Sequence, residues 1–157
     1  MARIVRLLGG DNVGDGVKVS IEWSNKFKRN LAAMTIEGGE LQSYIDMQVL
    51  TTMHPYLPFD RGNLAASGYN HTKIGSGAVV WSTPYARYLY YGVLMVDPDT
   101  GSAWARKGVP KVIAAPKKQL KFRGGGKRGS FWCERWKNDN LTQFEKAVQK
   151  KVGELMR

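Results

Sequence analysis

Few residues in this chain could do covalent chemistry. Cys133 is the sole cysteine, and His54 and His71 are the only histidines, so any thiol nucleophile must draw its base from these two. Cys133 lies between the tryptophan-bearing turns of Trp132 and Trp136, a setting that favours a buried, inert thiol over an activated one. No third, orienting group stands at a suggestive spacing. Two histidines and one cysteine match no metal-ligand pattern. Gly124-Gly125-Gly126-Lys127-Arg128 sets glycines beside cations but lacks the spacing of a phosphate-binding loop and the strand before it. Asp97 and Asp99, in Asp97-Pro98-Asp99-Thr100-Gly101, read as turn formers. The residues therefore indicate no enzyme, no cofactor and no metal. What they offer is charge. The formal net charge is +11. Between 101 and 130 stand Arg106, Lys107, Lys111, Lys117, Lys118, Lys121, Arg123, Lys127 and Arg128, with no Asp or Glu among them. A loop of this kind can hold phosphates without reading bases, or dock on an acidic protein surface.

The elements that must position this loop follow from periodicity. Val17-Lys18-Val19-Ser20-Ile21-Glu22-Trp23 alternates as a half-buried strand, with Val17, Val19, Ile21 and Trp23 on its core face. Ser24 is placed to cap a helix carrying Phe27, Leu31 and Met34, which Gly38-Gly39 stops. A second helix spans about Glu40–Met53, with Leu41, Ile45, Val49 and Met53 four apart. Met47 and Leu50 widen its apolar arc, which suits burial on more than one side. Pro55 and Pro58 fix φ and remove two donors, so this helix stops near Met53. Asp60-Arg61-Gly62-Asn63 is turn chemistry. Leu64–Thr72 and Ala78–Ser82 then read as strands joined at Gly75-Ser76-Gly77. Pro84 opens a short helix capped by Ser82 or Thr83 and ended by Gly92.

Tyr85, Tyr88, Tyr90 and Tyr91 crowd one short segment. Two readings stand for them: packing beneath the second helix, or a subunit interface in which tyrosine supplies stiff, polar-tipped contact area. A short strand at Val93–Val96 precedes the basic loop. Ser130 can cap a final helix whose apolar face carries Trp132, Trp136, Leu141, Phe144, Val148, Val152 and Leu155. Asn138-Asp139-Asn140 is the place where that helix would break.

The 157 residues suit one domain over 17–157 after a glycine-rich, flexible lead-in at 1–16. A lone cysteine fits a reducing compartment, no run approaches the roughly 20 apolar residues of a membrane span, and the N-terminus lacks a secretory core. The fold class is α+β: a small, mostly antiparallel sheet with helices packed on one face, a long basic loop at about 101–130 and a C-terminal amphipathic helix.

Three blocks carry a resemblance. Pro55-Tyr56-Leu57-Pro58-Phe59-Asp60-Arg61-Gly62-Asn63-Leu64-Ala65-Ala66-Ser67 resembles the signature of the minor capsid proteins of tailed bacteriophages, a group similar to tail-completion (head–tail joining) proteins. Their usual pattern is proline, two or three residues, then Asp-Thr-Gly-x-Leu-x-x-Ser. Trp81-Ser82-Thr83-Pro84-Tyr85-Ala86-Arg87-Tyr88 with Tyr90-Tyr91-Gly92 forms the second block, and Phe131-Trp132-x-Glu134-Arg135 the third. Together they cover about Val17 to the C-terminus. Arg61 departs from the family's threonine, so the turn must be held without that hydroxyl.

The resemblance implies a non-catalytic virion protein, made in the bacterial host cytoplasm, that forms a ring at the head–tail junction. It would join the DNA-filled capsid to the tail and let the genome pass. Its implied partners are copies of itself, adjacent connector or stopper and tail-terminator proteins, and passing double-stranded DNA; no membrane is implied. On this reading Asp60, Asn63, Leu64, Tyr85, Tyr88, Tyr90 and Tyr91 place the subunit, while the Arg106–Arg128 loop reaches a neighbour or the DNA channel. The alternative is a sequence-nonspecific nucleic-acid-binding protein using the same loop. A free-standing binder would more usually present a recognition helix, or aromatics beside its cations. This loop offers only Trp104 and Phe122.

Overall fold

The computed structural model describes residues 4–13, 16–23, 39–104 and 106–157. The helix expected over Ser24–Met34 lies outside them. Two long strands, β1 (Ile4–Val13) and β2 (Gly16–Trp23), pair antiparallel, and β3 (Ala78–Trp81) adds to the other side of β2. Residues 4–13, expected to be part of a flexible lead-in, are thus strand. The strand expected over Val17–Trp23 is borne out, with Val17 and Val19 buried. In the register, Val17 faces Trp81 and Val19 faces Val79. Directly opposed residues share one face of a sheet, and all four side chains are buried. The core therefore sits on that face.

Helix α1 (Glu40–Met53) covers it. Leu41, Ile45, Val49 and Met53 lie four apart and are fully buried, and Leu50 joins them. Met47 is 42 % exposed, so the apolar arc is narrower than the sequence suggests. Part of the helix's buried surface is instead polar. Asp46 accepts the N–H groups of Gly75 at 2.8 Å and Gly77 at 3.2 Å, and the Gln42 amide at 2.9 Å. This carboxylate docks the 75–77 turn onto α1. Burial pushes its carboxyl up from the ordinary value, and the hydrogen bonds only partly offset that.

Helix α1 stops at Met53 and runs into a 3-10 turn at His54–Tyr56 with Pro55 in its first positions. The next element is the main correction. Residues 64–72, expected to be extended, fall almost entirely in helix α2 (Asn63–His71). Gly62, at φ 81°, starts it with no side-chain cap. Leu64, Ala65, Ser67 and Gly68 are its buried residues. Those spacings, i, i+1, i+3 and i+4, follow one face of a helix rather than the alternation of a strand, and two alanines favour the helix. The close approach to β3 decides the outcome: a Cβ on Gly68 would stand 2.6 Å from Trp81 Nε1 and 3.0 Å from Leu50 Cδ2. Only a residue without a side chain lets α2 sit against Trp81. The Gly75-Ser76-Gly77 turn accordingly joins a helix to β3 rather than two strands.

Helix α3 (Ala86–Tyr91) ends at Gly92, φ 66°, whose N–H bonds the Leu89 carbonyl at 3.2 Å. Neither Ser82 nor Thr83 caps it by side chain; its first turn closes through the Ala86 N–H to the Thr83 carbonyl at 3.0 Å. Strands β4 (Met95–Val96) and β5 (Val112–Ile113) pair antiparallel. Helix α4 (Trp132–Leu155) follows, with Trp132, Trp136, Phe144 and Val148 of the expected apolar face buried and Val152 and Leu155 packed against the core. Its N-cap is Phe131 in the left-handed region, φ 50°, not Ser130. It runs unbroken through 138–140, where the Asn140 amide donates to the Trp136 carbonyl at 3.1 Å and to the Tyr56 hydroxyl at 2.7 Å. Trp132 packs edge-on against Trp81 at 6.4 Å and Tyr90 at 4.8 Å, joining α4 to the sheet and to α3.

Gly68→Ala should destabilise the protein by about 1–3 kcal/mol in urea unfolding, because the core there is already full. Gly153→Ala, in an exposed turn of α4 with nothing within 4 Å, should stabilise it by roughly 0.5–1 kcal/mol. Equal effects would contradict the packing at Trp81.

Asp46→Ala strands two backbone N–H groups and should cost about 1–3 kcal/mol for each, whereas Asp46→Asn keeps an acceptor. Because the folded carboxyl binds its proton more tightly than the unfolded one, its stabilising contribution is greatest below the ordinary carboxylate range. That contribution declines as pH rises through the raised value. Asp46→Asn should therefore gain on wild type as pH rises across that window; a gap independent of pH would contradict this environment.

Candidate functional site

The predicted basic residues fall into two groups. Arg106, Lys111, Lys127 and Arg128 are engaged within the chain. Asp97 is fully buried at the end of β4. It accepts the N–H groups of Asp99 at 3.0 Å, Thr100 at 3.2 Å and Arg106 at 3.2 Å. The Arg106 guanidinium closes on it through Nε at 2.9 Å and Nη2 at 3.1 Å, and also contacts Asp99. The guanidinium beside it holds the Asp97 carboxyl well below the usual carboxylate range, against the opposing effect of burial. The stability this pair contributes is present above the ordinary range and is lost only as pH falls through the depressed value. The clamp therefore stays closed through mild acid.

At the other end, Arg128 Nη1 donates to the carbonyls of His54 at 3.2 Å and Leu57 at 2.8 Å. Its Nε donates to the Gly124 carbonyl at 3.1 Å, and its guanidinium lies 4.9 Å over the Phe59 ring. The Tyr56 hydroxyl donates to Asp139 at 2.8 Å and accepts from Lys127 at 3.2 Å. Lys111 stands 4.5 Å over the Tyr88 ring. Between these anchors the chain is folded: Leu94 N–H bonds the Lys118 carbonyl at 3.0 Å, Ala114 N–H the Leu94 carbonyl at 3.0 Å, and Leu120 N–H the Gly92 carbonyl at 2.9 Å. The expected loop is an arm fastened at both ends.

Lys107, Lys117, Lys118, Lys121 and Arg123 form the second group. All are exposed, and among the described residues their side chains make no hydrogen bond or ion pair. Two of them meet residues of the 60–64 turn. A cleft of about 560 Å³ brings together Pro58–Leu64, Tyr85, Leu89, and Lys121–Arg123. Its more buried lining is apolar: Pro58, Leu64, Leu89 and Phe122. Its exposed rim is charged: Asp60, Arg61, Lys121 and Arg123. Arg61, the departure from the family pattern, adds a cation to this rim, and Gly62 starts α2 in its place.

The residues expected at a subunit contact are divided by the structure. Asp60, Asn63 and Tyr85 (38 % exposed) are on the surface beside the cleft. Tyr88 and Tyr91 are half-buried. Leu64 and Tyr90, each 3 % exposed, belong to the core. Tyr90 packs between Trp132, Tyr91 and Phe131, and its hydroxyl donates to the Glu134 carboxylate at 2.8 Å. Tyr90 cannot offer contact area to a neighbour without unpacking, and Leu64 shows only an edge, to the cleft. Sequence reasoning missed Phe59, Leu89 and Phe122, which line the cleft from three separate segments, and no local pattern marks them.

Burial pushes the Cys133 thiol well up from its ordinary value, with Glu134 adding to the effect. Cys133 is buried, as the sequence suggested. Among the described residues no group of three His, Cys, Asp or Glu could hold a metal ion, and no helix is long and apolar enough to cross a membrane.

Comparison with curated proteins and with solved structures returns no match. A family model described as minor capsid protein matches residues 17–152, which takes in the turn after α1, the cleft, the arm and nearly all of α4. The chain belongs to the minor capsid protein family of phages, a family of structural virion components.

Proposed function

We propose that the protein is a non-enzymatic subunit of a ring at the phage head–tail junction, joining the DNA-filled capsid to the tail. Family membership supports a structural role. The observation that carries the finer reading is the arm. It is fastened by Asp97–Arg106 at one end and by Arg128 at the other, and between them it displays five unpartnered cations and no acid. A scaffold that holds cations rigidly toward a neighbour pays little ordering entropy on docking. The neighbours on this reading are further copies of the chain, connector or stopper and tail-terminator proteins, and the DNA that passes them. A surface that pairs with a different patch on the next copy closes into a ring when its rotation allows.

The same cations support a second reading, sequence-nonspecific nucleic-acid binding. The two separate experimentally. Negative-stain imaging of the concentrated, purified protein should show closed rings of one size. In a salt titration with duplex DNA, five phosphate contacts would give a slope of log affinity against log salt near −4 to −5. Monomers throughout, together with that slope, would favour the nucleic-acid reading; rings with a flat salt response would exclude it.

A further inference from the structure

We infer that the cleft between the Pro58–Leu64 turn and the Lys121–Arg123 strip receives a short acidic segment of a neighbouring virion protein, anchored by an apolar side chain. The inference takes up the structural reading above on one point, what the basic arm faces, and does not require ring formation. Two features of the cleft select the occupant. Its rim carries Arg61, Lys121 and Arg123 against a single acid, Asp60, so it selects for negative charge. Its floor, in which Leu89 and Phe122 lie over the buried Pro58 and Leu64, rewards an apolar group, at about 25 cal/mol for each Å² removed from water.

A DNA backbone satisfies the rim but offers nothing to the floor. A peptide with leucine or phenylalanine between acidic residues satisfies both. A second copy of this chain is a poor source of that charge. It carries 24 Lys and Arg against 13 Asp and Glu, a formal net charge of +11, so two copies repel one another. The acidic partner is therefore a different protein. The floor is preformed, and its neighbour Phe59 is held beneath the Arg128 guanidinium, so docking requires little rearrangement.

Fluorescence anisotropy on the full-length protein tests this with three labelled probes of equal net charge. One is a short peptide of glutamates alone, one a glutamate peptide with a central Leu-Phe pair, and one a short DNA duplex. The Leu-Phe peptide should bind at least about tenfold more tightly than the glutamate peptide and more tightly than the duplex. K121E/R123E should weaken it by about tenfold or more, and Arg61→Glu should weaken it from the opposite rim. All three residues are exposed, so an unchanged thermal midpoint confirms that the variants fold. Equal binding of the two peptides would overturn the inference, as would peptide binding that ignores these variants. Tighter binding of the duplex would assign the rim to nucleic acid instead. Rings without peptide binding would sink this inference and leave the ring reading standing; peptide binding by a protein that stays monomeric would do the reverse.

Discussion

The end of helix α1 sets a constraint that much of the molecule answers. A helix terminus leaves carbonyls without partners, and here the chain beyond it holds Pro55 and Pro58, neither of which has an N–H to give. Arg128 adds donors just beyond that end, bonding the His54 carbonyl, which also accepts the Leu57 N–H at 3.3 Å, and the Leu57 carbonyl, from more than seventy residues away. A cation suits that end of a helix for electrostatic reasons as well. Once Arg128 is seated, Gly129 N–H reaches the Tyr56 carbonyl at 3.3 Å and Phe131 N–H the Tyr90 carbonyl at 2.8 Å. Trp132 then enters the core beside Trp81 and Tyr90. The return of the basic segment and the start of α4 thus depend on one corner.

The other end of the arm depends on Asp97. A buried carboxylate is tolerable only when it is fully bonded, and three backbone N–H groups with one guanidinium meet that need. The two anchors turn what would be a long loop into a folded extension. Arg106 and Arg128 are held in these anchors and Lys111 and Lys127 by other contacts, so the charge left to act on a partner is smaller than composition implies and is confined to defined positions. The cleft follows from the same construction: the corner supplies its turn, the returning arm supplies Lys121–Arg123, and α3 supplies Leu89.

Much of this was legible. The fourfold spacing in Glu40–Met53, the alternation at Val17–Trp23, the β-rich Ala78–Trp81 and the 3-and-4 pattern of α4 each correspond to an observed element. Those signals are local and repeat over several turns or pleats. Residues 64–72 misled because a run of small residues fits both periods; the choice rests on Gly68 meeting Trp81, a contact between separate segments. Tyr90 and Leu64 could not be assigned to the core from composition, since tyrosine suits an interface and a packed interior equally. Asp46, Asp97 and Arg128 carry the most consequential polar contacts. Asp46 and Arg128 find their partners far along the sequence, and Asp97 lies in a turn whose sequence already explained its aspartates. Nothing in their immediate sequence announces burial.

The most direct test is to locate the subunit in the assembled particle by cryo-electron microscopy of intact virions. The account predicts a closed ring of this fold where the head meets the tail, with the 97–131 arm turned toward an adjoining protein or the DNA channel. Copies distributed over the faces of the head, with none at the junction, would contradict it.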